Sequence, residues 1–241
     1  MNFFSHAFRF IDGDPHFLVG TAIPDWLGMV DRRTRVRRAA AERLSEDADP
    51  TTRAMAQGIV QHHVDDDWFH QTRAFAELHL AFTGQIGELL AGDTRFRPFF
   101  VAHIVIEMLI DAGLTEANSG RLDRYYQRVA EVDPHRVESV VNRIAPRSTD
   151  RLAAFVPRFV REAFLYDYHR DEGVAYRVNR ILGAIGLNSL PPDFRHWVGL
   201  ARIAVKNSMD ALLCPPADQP RFELGVRVGN QAGGGGCEKV Q

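Results

Sequence analysis

The chain has 241 residues, 45% of them hydrophobic and 25% charged, with a formal net charge of -2. That composition is globular and suffices for one sizeable core or two small ones. A charge so close to zero excludes a global field that would draw the chain to nucleic acid or an anionic membrane.

The opening residues, MNFFSHAFRFIDGD, lack a basic region followed by an apolar run. No secretory leader is therefore expected, and the cytoplasm is the expected compartment. Helical periodicity recurs from end to end and strand signals are scarce. Residues 2–10 and 15–22 read as short helices joined by the turn Asp12-Gly13-Asp14-Pro15. Pro24 disfavours a helical Ile23, so Ile23-Pro24-Asp25-Trp26 is expected to interrupt the pattern. Residues 32–44 read as an exposed helix, and Asp49-Pro50-Thr51 as the cap and first turn of a helix reaching about His70.

Further helices are expected near 72–91 and 97–116. Asn118-Ser119 reads as the cap of one over 120–131, Asp133-Pro134 as the start of one to 144, and Ser148-Thr149-Asp150 as the start of one to 166. The last two are expected over 172–186 and 192–212. The apolar run from Phe99 to Leu114 is shorter than a bilayer span and holds three ionisable groups, so no membrane span is expected. From Cys214 onward, CPPADQP and GNQAGGGG read as a tail with too little apolar content to order itself. The two cysteines, Cys214 and Cys237, look like neither a disulfide framework nor a cysteine zinc site. The fold class is therefore all-α, a single-domain multi-helix bundle over residues 1–213 with a flexible tail over 214–241.

Two polar stripes interrupt this pattern. Positions four apart on a helix drift only about 40° around its axis and about 6 Å along it. His62, Asp66 and His70 thus share one face, and so do His103, Glu107 and Asp111. The second helix, FFVAHIVIEMLIDAGL, is apolar on nearly all sides, and three unpaired ionisable groups on one of its faces would be costly to bury. Either a network of ion pairs and hydrogen bonds compensates them, or a metal does. Histidine with carboxylate suits Zn²⁺ or Mn²⁺, and ligands one turn apart on bundle helices are a common way to hold such ions. Two stripes of one kind favour the metal, in a buried site between helices. His6, in an otherwise apolar segment, and Asp25, beside Pro24, belong with them. Taken alone, they would be a core histidine and a helix cap.

These residues also carry a resemblance. MNF-x2-His6, FLVGTAIPDW, GIVQHHVDDDWFH and EMLIDAGL together resemble the acyl carrier protein phosphodiesterase family over about the first 115 residues. The positions that match that family are His6, Asp25, His62, Asp66 and the acidic pair Glu107/Asp111. His70 stands where that family has Asp, and His103 has no counterpart in it. The same residues are similar to those of the zinc-dependent phospholipase C and single-strand nuclease superfamily. His62/Asp66, His70, His103/Glu107, Asp25 and His6 fit the ligand scheme of that group. Its members are exported and use a processed N-terminal residue as a ligand, whereas here Met1 is expected to be kept and no signal is expected. No histidine lies between Asp25 and His62 for their remaining ligand.

Both resemblances imply metal-dependent hydrolysis of a phosphate ester at two divalent ions, Zn or Mn. On that scheme His62, Asp66, His70, His103 and Glu107 are ligands, with Asp66 the expected bridging carboxylate. Asp25 is a ligand or the base that orients the attacking water. Asp111 is a ligand or a partner to a coordinated imidazole, and His6 completes one metal or donates to the leaving group. His63, Asp65 and Asp67 are expected to point elsewhere on the helix, either solvated or supporting the ligands from behind. Arg32, Arg35, His169 and Arg177 are the candidate substrate contacts. The substrate implied is a phosphopantetheinylated acyl carrier protein. A phospholipase C-like or nucleotide-directed hydrolase is the first alternative, and a non-catalytic metal-binding or ion-paired bundle the second.

Overall fold

The computed structural model describes residues 1–90, 94–118 and 120–223. Among them are eleven α-helices and three short 3₁₀ turns, with no β-strand. The helices are α1 (Phe3–Ala7), α2 (Pro15–Val30), α3 (Arg38–Glu42), α4 (Pro50–Phe69), α5 (Arg73–Leu89), α6 (Pro98–Ala117), α7 (Arg121–Ala130), α8 (Pro134–Ile144), α9 (Leu152–Glu162), α10 (Asp171–Ala184) and α11 (Phe194–Leu212). The chain is all-α, as the periodicity implied. Of the expected tail, residues 224–241 lie outside the described residues, as does Ser119, expected as a cap. Cys214 is disulfide-bonded, which the sequence had not suggested. Cys237 lies outside the described residues.

Three helices begin at Asp-Pro. The side chains of Asp14 and Asp133 accept from the amides of His16 (2.7 Å) and His135 (2.9 Å), and Asp49 accepts from the amide of Thr52 (2.8 Å). Proline at the first helical position has no amide to leave unsatisfied, so aspartate and proline together set each start.

The chain forms two compact units. The first comprises Met1–Asp67 with Ser119–Phe164, the second Trp68–Asn118 with Leu165–Gln241. In the first unit, α1, α2, α7 and α9 pack on one another, and α8 packs on α9. Phe159 is the hub of its aromatic core, with ring centroids 5.6 Å from Phe3, 5.3 Å from Trp26 and 5.5 Å from Tyr126. Helices α2 and α4 cross at two glycines. A Cβ on Gly58 would strike the Phe17 carbonyl, and one on Gly20 the Met55 carbonyl. Only hydrogen fits at these two positions, which brings the backbones of α2 and α4 together.

The second unit is built from α5, α6, α10 and α11. Helix α6 is buried nearly all round, through Val101, Ala102, Val105, Ile106, Met108, Leu109, Ile110, Ala112 and Leu114. It is the one described helix long and apolar enough to cross a membrane, and 61% of its apolar window is buried inside the protein, as in a core helix.

Three local expectations are corrected. Helix α2 does not end before Pro24 but runs through it to Val30. Proline removes one donor and pushes back the preceding turn without ending the helix when packing holds the next turn, and here Trp26 and Leu27 beyond it are buried. Asp25 therefore lies on a helix. Of the helix expected over 32–44, only Arg38–Glu42 forms. Asp31 accepts from the Arg33 amide and the Thr34 hydroxyl, and this local turn competes with the helix. The helix expected to reach residue 166 is Leu152–Glu162. It is delayed at its start by the reciprocal Thr149–Asn142 bonds and ends at Ala163, whose φ is 44°.

Candidate metal centres

Helices α1, α2 and α4 of the first unit bring His6, Asp25 and His62 together. One potential ligand atom from each lies within 4.8 Å of the other two. The His6 and His62 rings are stacked, with centroids 3.9 Å apart and planes at 27°. His6 is 0% exposed and His62 3%. The His62 Nδ1 lies 2.8 Å from the Thr21 carbonyl. A carbonyl only accepts, so Nδ1 holds a proton and Nε2 is the nitrogen turned to Asp66. Thr21 lies on α2, one turn before Asp25, so the same helix supplies the acceptor for His62 and a carboxylate to the group.

Asp66, one turn after His62, places its two oxygens against the two rings. Its Oδ1 is 3.3 Å from His6 Nε2, and its Oδ2 is 3.4 Å from His62 Nε2. The Met1 amino nitrogen lies 2.7 Å from the same Oδ1. Burial alone would raise the Asp66 pKa. The amine and the hydrogen bonds from His6 and His62 outweigh it and hold the carboxyl far below the usual range. Burial likewise opposes charge on His6, and the carboxylates of Asp65 and Asp66 reverse that and raise its pKa. Two stacked buried imidazoles beside two carboxylates form a donor set that suits Zn²⁺ or Mn²⁺.

The second unit holds another such group. His70 follows the end of α4, and α6 supplies His103 and Glu107. The Glu107 Oε1 is 3.0 Å from His103 Nε2 and 3.5 Å from His70 Nε2, and the two rings are 4.9 Å apart. Burial opposes ionisation of Glu107, yet its pKa is lowered, with the His103 and His70 hydrogen bonds among the causes. All three side chains keep some exposure, so this group is open where the His6–His62 pair is enclosed. Asp111, one turn beyond Glu107, is buried and belongs to neither three-residue group.

The candidate substrate contacts are less concentrated. Arg32 and Arg35 are exposed on the segment after α2, and Arg32 turns back to the Gly28 carbonyl. His169 is exposed, and Arg177 donates to Asp167 at 2.7 Å. Asp167, with Arg170, Glu172, Gly173 and Tyr176, lines an open cleft of about 560 Å³ in the second unit.

Of the residues expected to be solvated or to support the ligands, Asp65 is 0% exposed and joined to Arg9, so it is not solvated. His63 has its Nε2 2.8 Å from the Val36 carbonyl, and burial lowers its pKa. His79 is buried beside Phe75 and His103, with Nε2 2.8 Å from the Phe99 carbonyl. His79 was not singled out from the sequence, because it lies outside both stripes. No family model, curated protein or solved structure matches this chain.

Proposed function

We propose that the protein is a metal-dependent phosphoric diester hydrolase of the acyl carrier protein phosphodiesterase type. It would hold two divalent ions, one at His6, Asp25, His62 and Asp66 and one at His70, His103 and Glu107. The observation that supports this most directly is the Asp66 carboxylate set between the Nε2 atoms of two buried, stacked histidines. Two imidazole nitrogens and a carboxylate so close together are the ligand types that a divalent ion takes.

A bound divalent ion supplies hydroxide near neutral pH and offsets charge on the phosphoryl oxygens. The protein's own groups do the rest. His62 is held by the Thr21 carbonyl with Nε2 turned to Asp66, whose carboxyl, against the opposing effect of burial, is held far below the usual range by the Met1 amine, His6 and His62. Asp25, partly exposed, would serve either as a ligand or as the base that takes a proton from an attacking water. Asp66 is 32% exposed, so this centre has a side open to water and substrate.

The test begins with metal content. The protein as purified should hold about one tightly bound transition metal for each group of ligands, since imidazole and carboxylate ligands bind such ions firmly. It should release phosphopantetheine from the acyl carrier protein faster than it releases phosphocholine or p-nitrophenol from their diesters. Phosphocholine release as the faster reaction would move the protein to the phospholipase C-like reading. Absence of bound metal, with no added metal restoring hydrolysis, would remove the proposal.

A further inference from the structure

Asp65 is the buried acid that the proposed ligand set does not use. It lies on α4 beside Asp66 but turned about 100° around the helix, into the core of the first unit. Its Oδ2 is 3.6 Å from His6 Nδ1, while the ring's Nε2, which a metal ion would take in place of a proton, faces Asp66 Oδ1 at 3.3 Å and the Met1 carbonyl at 3.2 Å. The same Oδ2 takes an ion pair from Arg9, and Oδ1 accepts from Gln61 Nε2 at 2.9 Å. Asp65, Arg9 and His6 are all essentially inaccessible to solvent. Carboxylate, imidazole and ligand site thus lie in a row, and Arg9, one turn after His6, clamps the carboxylate from behind.

We propose that Asp65 is a positioning residue that keeps the proton on His6 Nδ1 and leaves Nε2 for a divalent metal ion, with Arg9 and Gln61 holding the carboxylate in place. This rests on the metal reading above. His62 is oriented in the same way by a backbone carbonyl, so each stacked imidazole has its own acceptor. A carboxylate behind a coordinated imidazole raises the basicity of the ligand as well as fixing its rotation. Arg9 is needed because an acid at this depth has no water to stabilise its charge.

The competing role for Asp65 is neutralisation of Arg9 and nothing more. Two variants separate the roles. Asp65→Asn removes the charge and keeps the shape. Arg9→Met/Asp65→Leu replaces the whole pair by apolar side chains, an exchange that buried ion pairs often tolerate without loss of fold. Zinc affinity is measured by chelator competition, helical content by circular dichroism, and the protonated nitrogen of His6 by ¹⁵N NMR of the zinc-loaded protein. Positioning predicts Nδ1–H and Nε2–Zn in the wild type. It also predicts zinc affinity at the His6 centre lower by about 10–100-fold in both variants, with the double variant fully helical. Wild-type affinity in a folded double variant would overturn the inference and leave the metal reading standing. Wild-type protein that takes up no zinc at this centre would overturn both.

Discussion

At Asp66 two opposing effects meet. Burial penalises the charged carboxylate, while the Met1 amine, His6 and His62 favour it, and the favourable partners win. In metal-free protein its folded pKa is thus depressed. Its contribution to stability is present above the ordinary aspartate pKa of about 3.9 and is lost as pH falls below that value. Replacement removes a carboxylate whose two oxygens face the two imidazoles. We expect Asp66→Ala to lose the metal of the first unit while keeping most helical content, checked by elemental analysis beside circular dichroism. Retained stoichiometry would deny Asp66 a ligand role. Glu107 has the matching position in the second unit, between His70 and His103. Glu107→Ala should remove the other ion and spare the first.

Among the elements, α4 contributes most to the first centre, and its position depends on Gly58. Alanine is intrinsically better than glycine in a helix by about 0.8–1.0 kcal/mol. At Gly58 the added Cβ meets the Phe17 backbone carbonyl, which cannot turn aside as a side chain could. Overpacking costs about 1–3 kcal/mol, so the clash outweighs propensity and Gly58→Ala should destabilise the protein, measured by urea unfolding. Metal affinity of the first unit should fall with it, because α2 carries Asp25 and the Thr21 carbonyl. The start of α4 has a separate tie. Asp49 accepts from the Thr52 hydroxyl and amide and pairs with Arg136 of α8, while Asp47 accepts from the Asp49 amide and pairs with Arg143. These contacts lower both pKa values, with Thr52 the largest influence on Asp49 and the Asp49 amide the largest on Asp47. Depressed folded pKa values stabilise above the ordinary aspartate range and cease to do so as pH falls through it. The melting temperature should therefore fall on acidification below about pH 4, and less steeply in Asp49→Ala. Equal slopes would show that this tie contributes nothing.

For the whole molecule the decisive question is whether the two groups hold metal or are networks of ion pairs. An ion that binds only the folded chain stabilises it by about 2.7 kcal/mol at a hundredfold excess over its dissociation constant. Stripping the protein with chelator should lower its melting temperature, and restoring Zn²⁺ or Mn²⁺ should raise it again. Calorimetry showing no difference would favour ion pairing.

Local chemistry and periodicity were enough to announce the all-α class, the Asp-Pro helix starts, the burial of α6 and the coming together of His103 with Glu107, because each depends on residues within a turn or two. The pairing of His62 with Asp66 was legible for the same reason. Other features required distant segments to meet. His6 becomes a partner of His62 only when α1 docks beside α4, and Asp65 acquires meaning only when the same docking brings Arg9 to it. Helix α2 continues through Pro24 because Trp26 and Leu27 are packed, an energy that no local propensity contains. The eight proposed ligands read as a single site along the sequence, where helix spacing guided six of them and resemblance brought in His6 and Asp25. Folding sorts six of them into two groups of three, places Asp66 beside the first and leaves Asp111 in neither, because spacing constrains a helix face while only packing decides which faces meet.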